Sequence, residues 1–378
     1  MSRTKFDILI PTRNRCLTLE KTIRTCLDQN CDGINIVVSD NCSIDDTRDV
    51  VMAIDDPRIT YVRPDKRLSM SSNFEFALRK SNGIYLLHIG DDDGLIPDSV
   101  NKVDQIIRET GAKAVTSSHA VYHWPDSLFA THRNRMTLSL GKGHKTLDAL
   151  ATAQQVLDFK RSYPLLPGTY SSFVAREVVE QVSGVGRYFS SITPDIYSAF
   201  ANAGVIGNYV YSFRPFVLSG QSGRSNGASQ LLGVNPSEAD SFEVENDLPT
   251  HEGIVYERTS MPLMIGEAFL QARDRIENLQ NLDFDIVQFC NQALMASGKN
   301  VDATIAAIDG TYRINNLGIP AYRKKSLRLK AEALLARIHR IMRMRMEGFI
   351  RLDCEKLGIE DIQGAAVYAA KLLDQKHG

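Results

Sequence analysis

Apolar and polar positions follow two alternating rhythms from residue 6 to residue 89. Phe6-Asp7-Ile8-Leu9-Ile10 is a short apolar run closed by Pro11, which predicts a buried strand. Residues 18–29 then place Leu19, Ile23, Cys26 and Leu27 at helical spacing. The β-branched run 34–38 predicts a second strand, and 45–54 a helix with Ser43 or Asp45 available as its cap. A strand over 58–62 and a helix over 72–80 follow, the latter ended by Asn82-Gly83. Residues 84–89 form the most apolar strand of the set.

Strands and helices taking turns over short connections predict parallel pairing in a doubly wound α/β sheet. Ligands of such sheets collect at the carboxyl ends of the strands. Three of these ends are polar: Pro11-Thr12-Arg13-Asn14-Arg15, Ser39-Asp40-Asn41 and Gly90-Asp91-Asp92-Asp93-Gly94. Past residue 111 the alternation weakens. A strand is expected over 114–121, a polar stretch with scattered aromatics to 145, and helices over 176–182 and 196–203. Residues 220–229, rich in Gly, Ser and Asn, read as a mobile loop. From residue 262 the pattern is helical almost throughout.

Composition narrows the class. A chain of 378 residues with 43% hydrophobic and 24% charged residues fits one large globular domain with an appendage. The net charge of -1 excludes a globally basic nucleic-acid binder. Six cysteines without a CxxC pair or zinc spacing read as reduced thiols. No run has the length of a signal-peptide core or of a bilayer span, so a cytoplasmic protein, peripheral to a membrane at most, is expected.

Three consecutive aspartates after a buried strand repel one another, and a bound Mg²⁺ or Mn²⁺ with its preference for oxygen ligands would offset that. The competing account is acidic residues gathered near the helix expected after Pro97-Asp98-Ser99. Asp40, at another strand end, is placed to accept the imide N–H of uracil or thymine, or is a turn residue. Together, Ile10-Pro11-Thr12-Arg13-Asn14-Arg15, Val38-Ser39-Asp40-Asn41-Cys42-Ser43-Ile44-Asp45-Asp46-Thr47 and Gly90-Asp91-Asp92-Asp93 resemble glycosyltransferase family 2. The resemblance is strong over residues 5–110 and weaker to about residue 230.

That resemblance implies a GT-A fold, a Rossmann-like, mixed but mostly parallel sheet flanked by helices. Residues 1–230 would be the catalytic domain, with 1–110 binding the nucleotide-sugar and 111–230 supplying the acceptor-binding part and a lid. Residues 231–378 would be a mostly helical C-terminal region. Pro11, Thr12 and Arg15 would line the nucleotide pocket beside Asp40, with Asn73 and Arg67 near the donor. Asp92 stands at the family's main metal position, five residues before Pro97, although the literal Asp-x-Asp pair is Asp91 and Asp93. Mn²⁺ or Mg²⁺ is the implied cofactor. Asp195, at an expected helix start after Pro194, would take the acceptor proton in an inverting transfer; its other reading is a helix cap.

The loop Ser219-Gly220-Gln221-Ser222-Gly223-Arg224-Ser225-Asn226-Gly227 is similar to the lid of GT-A enzymes, with Arg224 placed for the diphosphate. The family's frequent metal-binding His is absent from it. His119, Tyr122, His123 and Trp124 offer an aromatic platform for a sugar, or ordinary packing. Residues 323–351 hold ten Lys or Arg against two Glu on an amphipathic pattern. They would meet an anionic membrane surface, and so a lipid-linked acceptor, or pack on this chain or a second copy in a homo-oligomer. The expected partners are thus a nucleotide-sugar of UDP or dTDP type and a growing glycan or lipid-linked acceptor, with no nucleic acid. Two alternatives stand beside transfer: a nucleotidyltransferase of sugar phosphates, and a non-enzymatic tethering protein acting through Arg337, Arg340 and Arg343.

Overall fold

The computed structural model describes residues 5–31, 33–225, 227, 229, 232, 244–298, 300–318 and 348–377. The first half of the chain alternates as its pattern predicts. It runs β1 (Phe6–Thr12), α1 (Cys16–Leu27), β2 (Ile34–Asp40), α2 (Thr47–Met52), β3 (Ile59–Val62), α3 (Met70–Arg79) and β4 (Tyr85–His88). β1 pairs in parallel with both β2 and β4, and β2 with β3. The period-2 geometry of a strand divides β1 between two cores. Phe6, Ile8 and Ile10 pack with Leu19, Ile23 and Cys26 of α1, while Leu9 packs with Phe74, Ala77 and Leu78 of α3 on the other face. Ser69 caps α3 by accepting the Ser72 N–H at 3.1 Å.

The middle of the chain adds β5 (Gly94–Leu95), α4 (Ser99–Thr110), β6 (Ala114–Ser117), β7 (Val121–His123), β8 (Arg135–Ser139), β9 (His144–Asp148), α5 (Ala149–Leu157), β10 (Phe173–Ala175), α6 (Arg176–Ser183), α7 (Pro194–Val205), β11 (Asn208–Ser212) and β12 (Val217–Gln221). The eight-stranded sheet has the order β3-β2-β1-β4-β10-β6-β11-β9. It is mixed: β10 is antiparallel to both neighbours and β9 to β11, whereas β6 and β11 are parallel. Helices cover it, and the fold is the mixed, mostly parallel α/β sheet flanked by helices that the sequence implies. β1 and β4 are neighbours although β2 and β3 intervene in sequence. The strand order therefore reverses beside β1, and a crevice opens there at the carboxyl ends.

A five-stranded sheet, β13-β8-β7-β12-β5, stands against this one. Its edge strand β13 (Phe349–Asp353) comes from the C-terminal region. The regular structure among the other described residues of that region is helical, with α8 (Met261–Arg273), α9 (Ile286–Ala296), α10 (Val301–Ile314) and α11 (Ile362–His377). It does not form one separate unit. α8 buries Phe269 against Phe200 of α7, and α11 packs Ile362, Ala365, Ala369 and Leu373 into the core under β7, β8 and β12. Lys21 of α1 and Asp361 pair at 3.3 Å. No helix among the described residues is long and apolar enough to cross a membrane. The six cysteines are free of disulfides. Most of the basic segment 323–351, with Arg337, Arg340 and Arg343, lies outside the described residues.

Candidate active site

A cavity of about 360 Å³ opens at the crevice beside β1. Its wall takes Pro11, Thr12, Arg13 and Arg15 from the end of β1, Gly90, Asp91 and Asp92 from the end of β4, and Tyr163, Asp195, Ser219 and Gly220 from further on. The loop after β1 is shaped by Asn14, whose φ of 56° is left-handed. Asn14 N–H donates to Ser43 Oγ and Asn14 Oδ1 accepts the Ile44 N–H, each at 2.8 Å, so this loop is locked to the loop after β2.

The three aspartates serve different partners. Asp91 accepts from Thr12 Oγ1 at 2.7 Å and from Arg15 Nη1 at 2.8 Å. Asp92 Oδ2 accepts from Ser222 Oγ at 2.6 Å and from Ser222 N–H at 3.1 Å, and among the described residues Oδ1 has no hydrogen-bond donor. Asp93 is turned away from the cavity. Its oxygens accept the N–H groups of Gly90 and Gly220 and the hydroxyl of Tyr170, at 2.7 to 2.8 Å. The expected triple ligand set is therefore reduced: Asp91 and Asp92 face the cavity, and Asp93 builds the loop. Among the described residues no three His, Cys, Asp or Glu side chains converge as a metal cage.

Backbone contacts fix this loop tightly. Trp124 Nε1 donates to the Asp92 carbonyl at 3.0 Å and Thr22 Oγ1 to the Asp93 carbonyl at 2.6 Å. A Cβ on Gly220 would lie 1.7 Å from the Asp92 carbonyl oxygen, so only glycine permits β12 to come this close. Burial, with Asp93 and Asp91 close by, raises the Asp92 carboxyl to about 7 against the opposing pull of Arg15 and Ser222. A hard divalent cation fits that donor set: two cavity-facing carboxylates, one of them desolvated and short of positive charge.

Asp195 also lines the cavity, in the first turn of α7 behind Pro194. Tyr163 donates its hydroxyl to Asp195 Oδ2 at 3.0 Å. Burial raises the Asp195 carboxyl above its usual range, although Tyr163 and the backbone N–H of Ile196 pull the other way. Burial also raises the Tyr163 phenol, which stays a donor.

The remaining expected residues divide. Asn73 reaches the cavity and is held by Ser39, whose Oγ donates to Asn73 Oδ1 at 2.7 Å. Asp40 does not reach it. Fully enclosed, Asp40 accepts from Ser43 N–H, Tyr61 OH and Arg63 Nη1 at 2.5 to 2.8 Å, and its neighbour Asn41 lines the cavity instead. Arg67 pairs with Glu245 at 2.5 Å rather than lining the wall itself. Arg224 turns back over the first loop, donating to the Asn14 carbonyl at 2.9 Å, and its own carbonyl accepts from Arg15. Of the expected lid, Ser219, Gly220, Gln221, Ser225 and Gly227 line the cavity, while Asn226 is outside the described residues. Of the aromatic platform only His119 lines it; Tyr122 and Trp124 are buried in the small core and His123 meets Phe129 edge-on and His132 at a tilt. Tyr163, Tyr170, Ser222 and Glu245 carry no sequence signal that distinguishes them. The pattern Gly220-x-Ser222 is the nearest to one.

The stretch that builds the β1 and β4 strand ends matches a known family model, Glycosyl transferase family 2, over residues 7–164. Residues 7–164 are a family 2 glycosyltransferase domain. Over 108 residues this chain is 32% identical to a GalNAc(5)-diNAcBac-PP-undecaprenol beta-1,3-glucosyltransferase of Campylobacter jejuni, covering 28% of this chain and 35% of that one. It is 29% identical over 97 residues to a putative colanic acid biosynthesis glycosyl transferase, WcaA, of Escherichia coli, covering 25% and 35%. The matched stretch thus spans about a third of each curated relative's length. A solved mannosyltransferase of Pyrobaculum calidifontis, in complex with GDP-Man and Mn²⁺, aligns over 99% of this chain and 88% of its own at 15% identity and a TM-score of 0.44. In this glycosyltransferase domain both cavity-facing aspartates and the arginines after β1 lie inside the matched residues, whereas Asp195 and β12 lie beyond them.

Proposed function

We propose that the protein transfers a sugar from a nucleotide-sugar of UDP or dTDP type to a hydroxyl of a growing glycan or lipid-linked acceptor, inverting the anomeric carbon. The observation that carries this reading is a single cavity whose wall holds Asp91, Asp92, two arginines and Asp195. The acceptor oxygen forms its bond to the anomeric carbon as its proton passes to the Asp195 carboxylate. The bond from that carbon to the diphosphate breaks, and its electron pair leaves with the nucleoside diphosphate. Tyr163 orients the base, and Arg13 and Arg15 face the phosphates. Asp91 and Asp92 would hold Mn²⁺ or Mg²⁺, which would neutralise charge on the leaving diphosphate.

The nucleobase reading places demands on Asp40. It would accept an imide N–H only if Arg63, 38% exposed, and the Tyr61 hydroxyl both move off Oδ2. The lipid-linked acceptor is supported by the Campylobacter relative, whose name describes a PP-undecaprenol substrate. Work on such an acceptor would place the protein at the cytoplasmic membrane surface. Calorimetric titration of UDP, with and without Mn²⁺, into wild type and Asp92→Asn tests the donor site. Metal-dependent binding that weakens at least about tenfold in the variant is expected. Failure of UDP, dTDP and GDP alike to bind sinks the reading.

A further inference from the structure

Glu245 forms part of the cavity wall on the side where the loop after β1 arrives. Its two carboxylate oxygens are divided between two arginines from different loops. Arg13 Nη1 donates to Oε2 at 2.6 Å, and Arg67 Nη2 pairs with Oε1 at 2.5 Å. Arg13 follows β1; Arg67 lies between β3 and α3, just before the Ser69 cap. Two guanidinium groups brought this close repel each other unless an anion lies between them. Forked N–H donors bind a carboxylate and a phosphate by the same geometry, and a diphosphate offers more charge and more oxygens than one carboxylate.

The chain around Glu245 is anchored unevenly. Two residues on, Asp247 accepts from Ser69 Oγ and Ser72 Oγ, each at 2.5 Å, and from Arg187 Nη1 at 3.3 Å. A carboxylate against the N-terminus of α3 is favourably placed. Among the described residues Glu245 is held by its two arginines alone, and both pairs are partly exposed, with Arg13 and Glu245 each 21% and Arg67 47% exposed. Ion pairs that keep contact with water are weaker than enclosed ones and exchange more readily. Asp247 is thus the fixed point, and Glu245 is the side chain that an incoming anion can replace.

We infer that Arg13 and Arg67 form a clamp for the donor's diphosphate, and that Glu245 is the clamp's internal occupant, displaced when the donor enters. The inference rests on the donor-site reading above. Donor binding carries the cost of breaking the Glu245 pairs, so this residue sets donor affinity without touching the sugar.

The test is calorimetry of UDP with Mn²⁺, and of uridine alone, on wild type, Glu245→Gln and Arg13→Gln, with a thermal melt confirming that each folds. Glu245→Gln is expected to bind UDP about three- to tenfold more tightly, the size of one or two exposed ion pairs. Arg13→Gln is expected to bind UDP more weakly, and uridine, which lacks the phosphates, is unaffected by either change. Unchanged or weaker UDP binding in Glu245→Gln, with wild type binding normally, overturns the clamp and leaves the donor site standing. Uridine affinity moving in step with UDP overturns it too, since that marks a general distortion of the pocket. Binding seen only in Glu245→Gln supports the clamp. If neither protein binds UDP, dTDP or GDP, the donor reading and the clamp fall together.

Discussion

Asp195 illustrates how opposed forces set one carboxyl. Burial disfavours its charge, while the Tyr163 hydroxyl and the Ile196 N–H favour it, and burial prevails. An acid of raised pKa is a stronger base once ionised, but it must first lose its proton. Turnover is therefore expected to climb with pH through a midpoint above the ordinary aspartate value of about 3.9 and then level off. Asp195→Asn should lower kcat by about 10²- to 10⁴-fold, leave UDP binding in place and abolish that limb of the pH profile. A variant with its kcat intact would show that the base lies elsewhere. At this scale the strand ends were legible, since Pro11, Thr12, Arg15, Asp91 and Asp92 all reach the cavity, as do Asn73 of α3 and Asp195 of α7. Asp40 and Asp93 were not, because a carboxylate's partners come from residues distant in sequence. Tyr61 and Arg63 enclose the first, and Tyr170 and Gly220 the second.

Elements were readable where their periodicity was long and apolar. From β1 to β4 every predicted strand and helix appears, shifted by a residue or two at its ends. The losses are short or edge strands. β9 exposes four of its five residues and so has no buried rhythm, and β10 has only three residues. The predicted mobile loop begins instead inside β12, which pairs antiparallel with β5 through Leu218 and Gly94. That pairing brings Gly220 against the Asp92 carbonyl, and Ser222 to the Asp92 carboxylate. Gly220→Ala should force β12 away from the loop, costing about 1–3 kcal/mol or more of stability. It should also remove metal-dependent UDP binding. A variant that melts with wild type and still binds UDP would refute the close approach.

At the scale of the whole molecule, the C-terminal region contributes to the half that carries the cavity. β13 supplies the outer edge of the five-stranded sheet, and α11 covers Tyr122, Met136, Leu138 and Leu218. Periodicity announced α11 as a helix, but not what it covers, because an amphipathic face does not name its partner. Truncation after residue 348 should leave that apolar layer in water. A lower Tm by circular dichroism, or aggregation on a sizing column, is expected; an unchanged cooperative melt would contradict the packing. The register Ser139 with Phe349 sets a schedule for synthesis as well. On the ribosome, β8 emerges roughly two hundred residues before its partner, about ten to forty seconds at ordinary elongation rates. Met136 and Leu138 stay uncovered through that interval. Trp124, which holds the Asp92 carbonyl, belongs to the same unfinished core. The nascent chain thus carries its three aspartates long before the layer that supports them is complete, and it reaches its working shape only after residues 349–377 have been made.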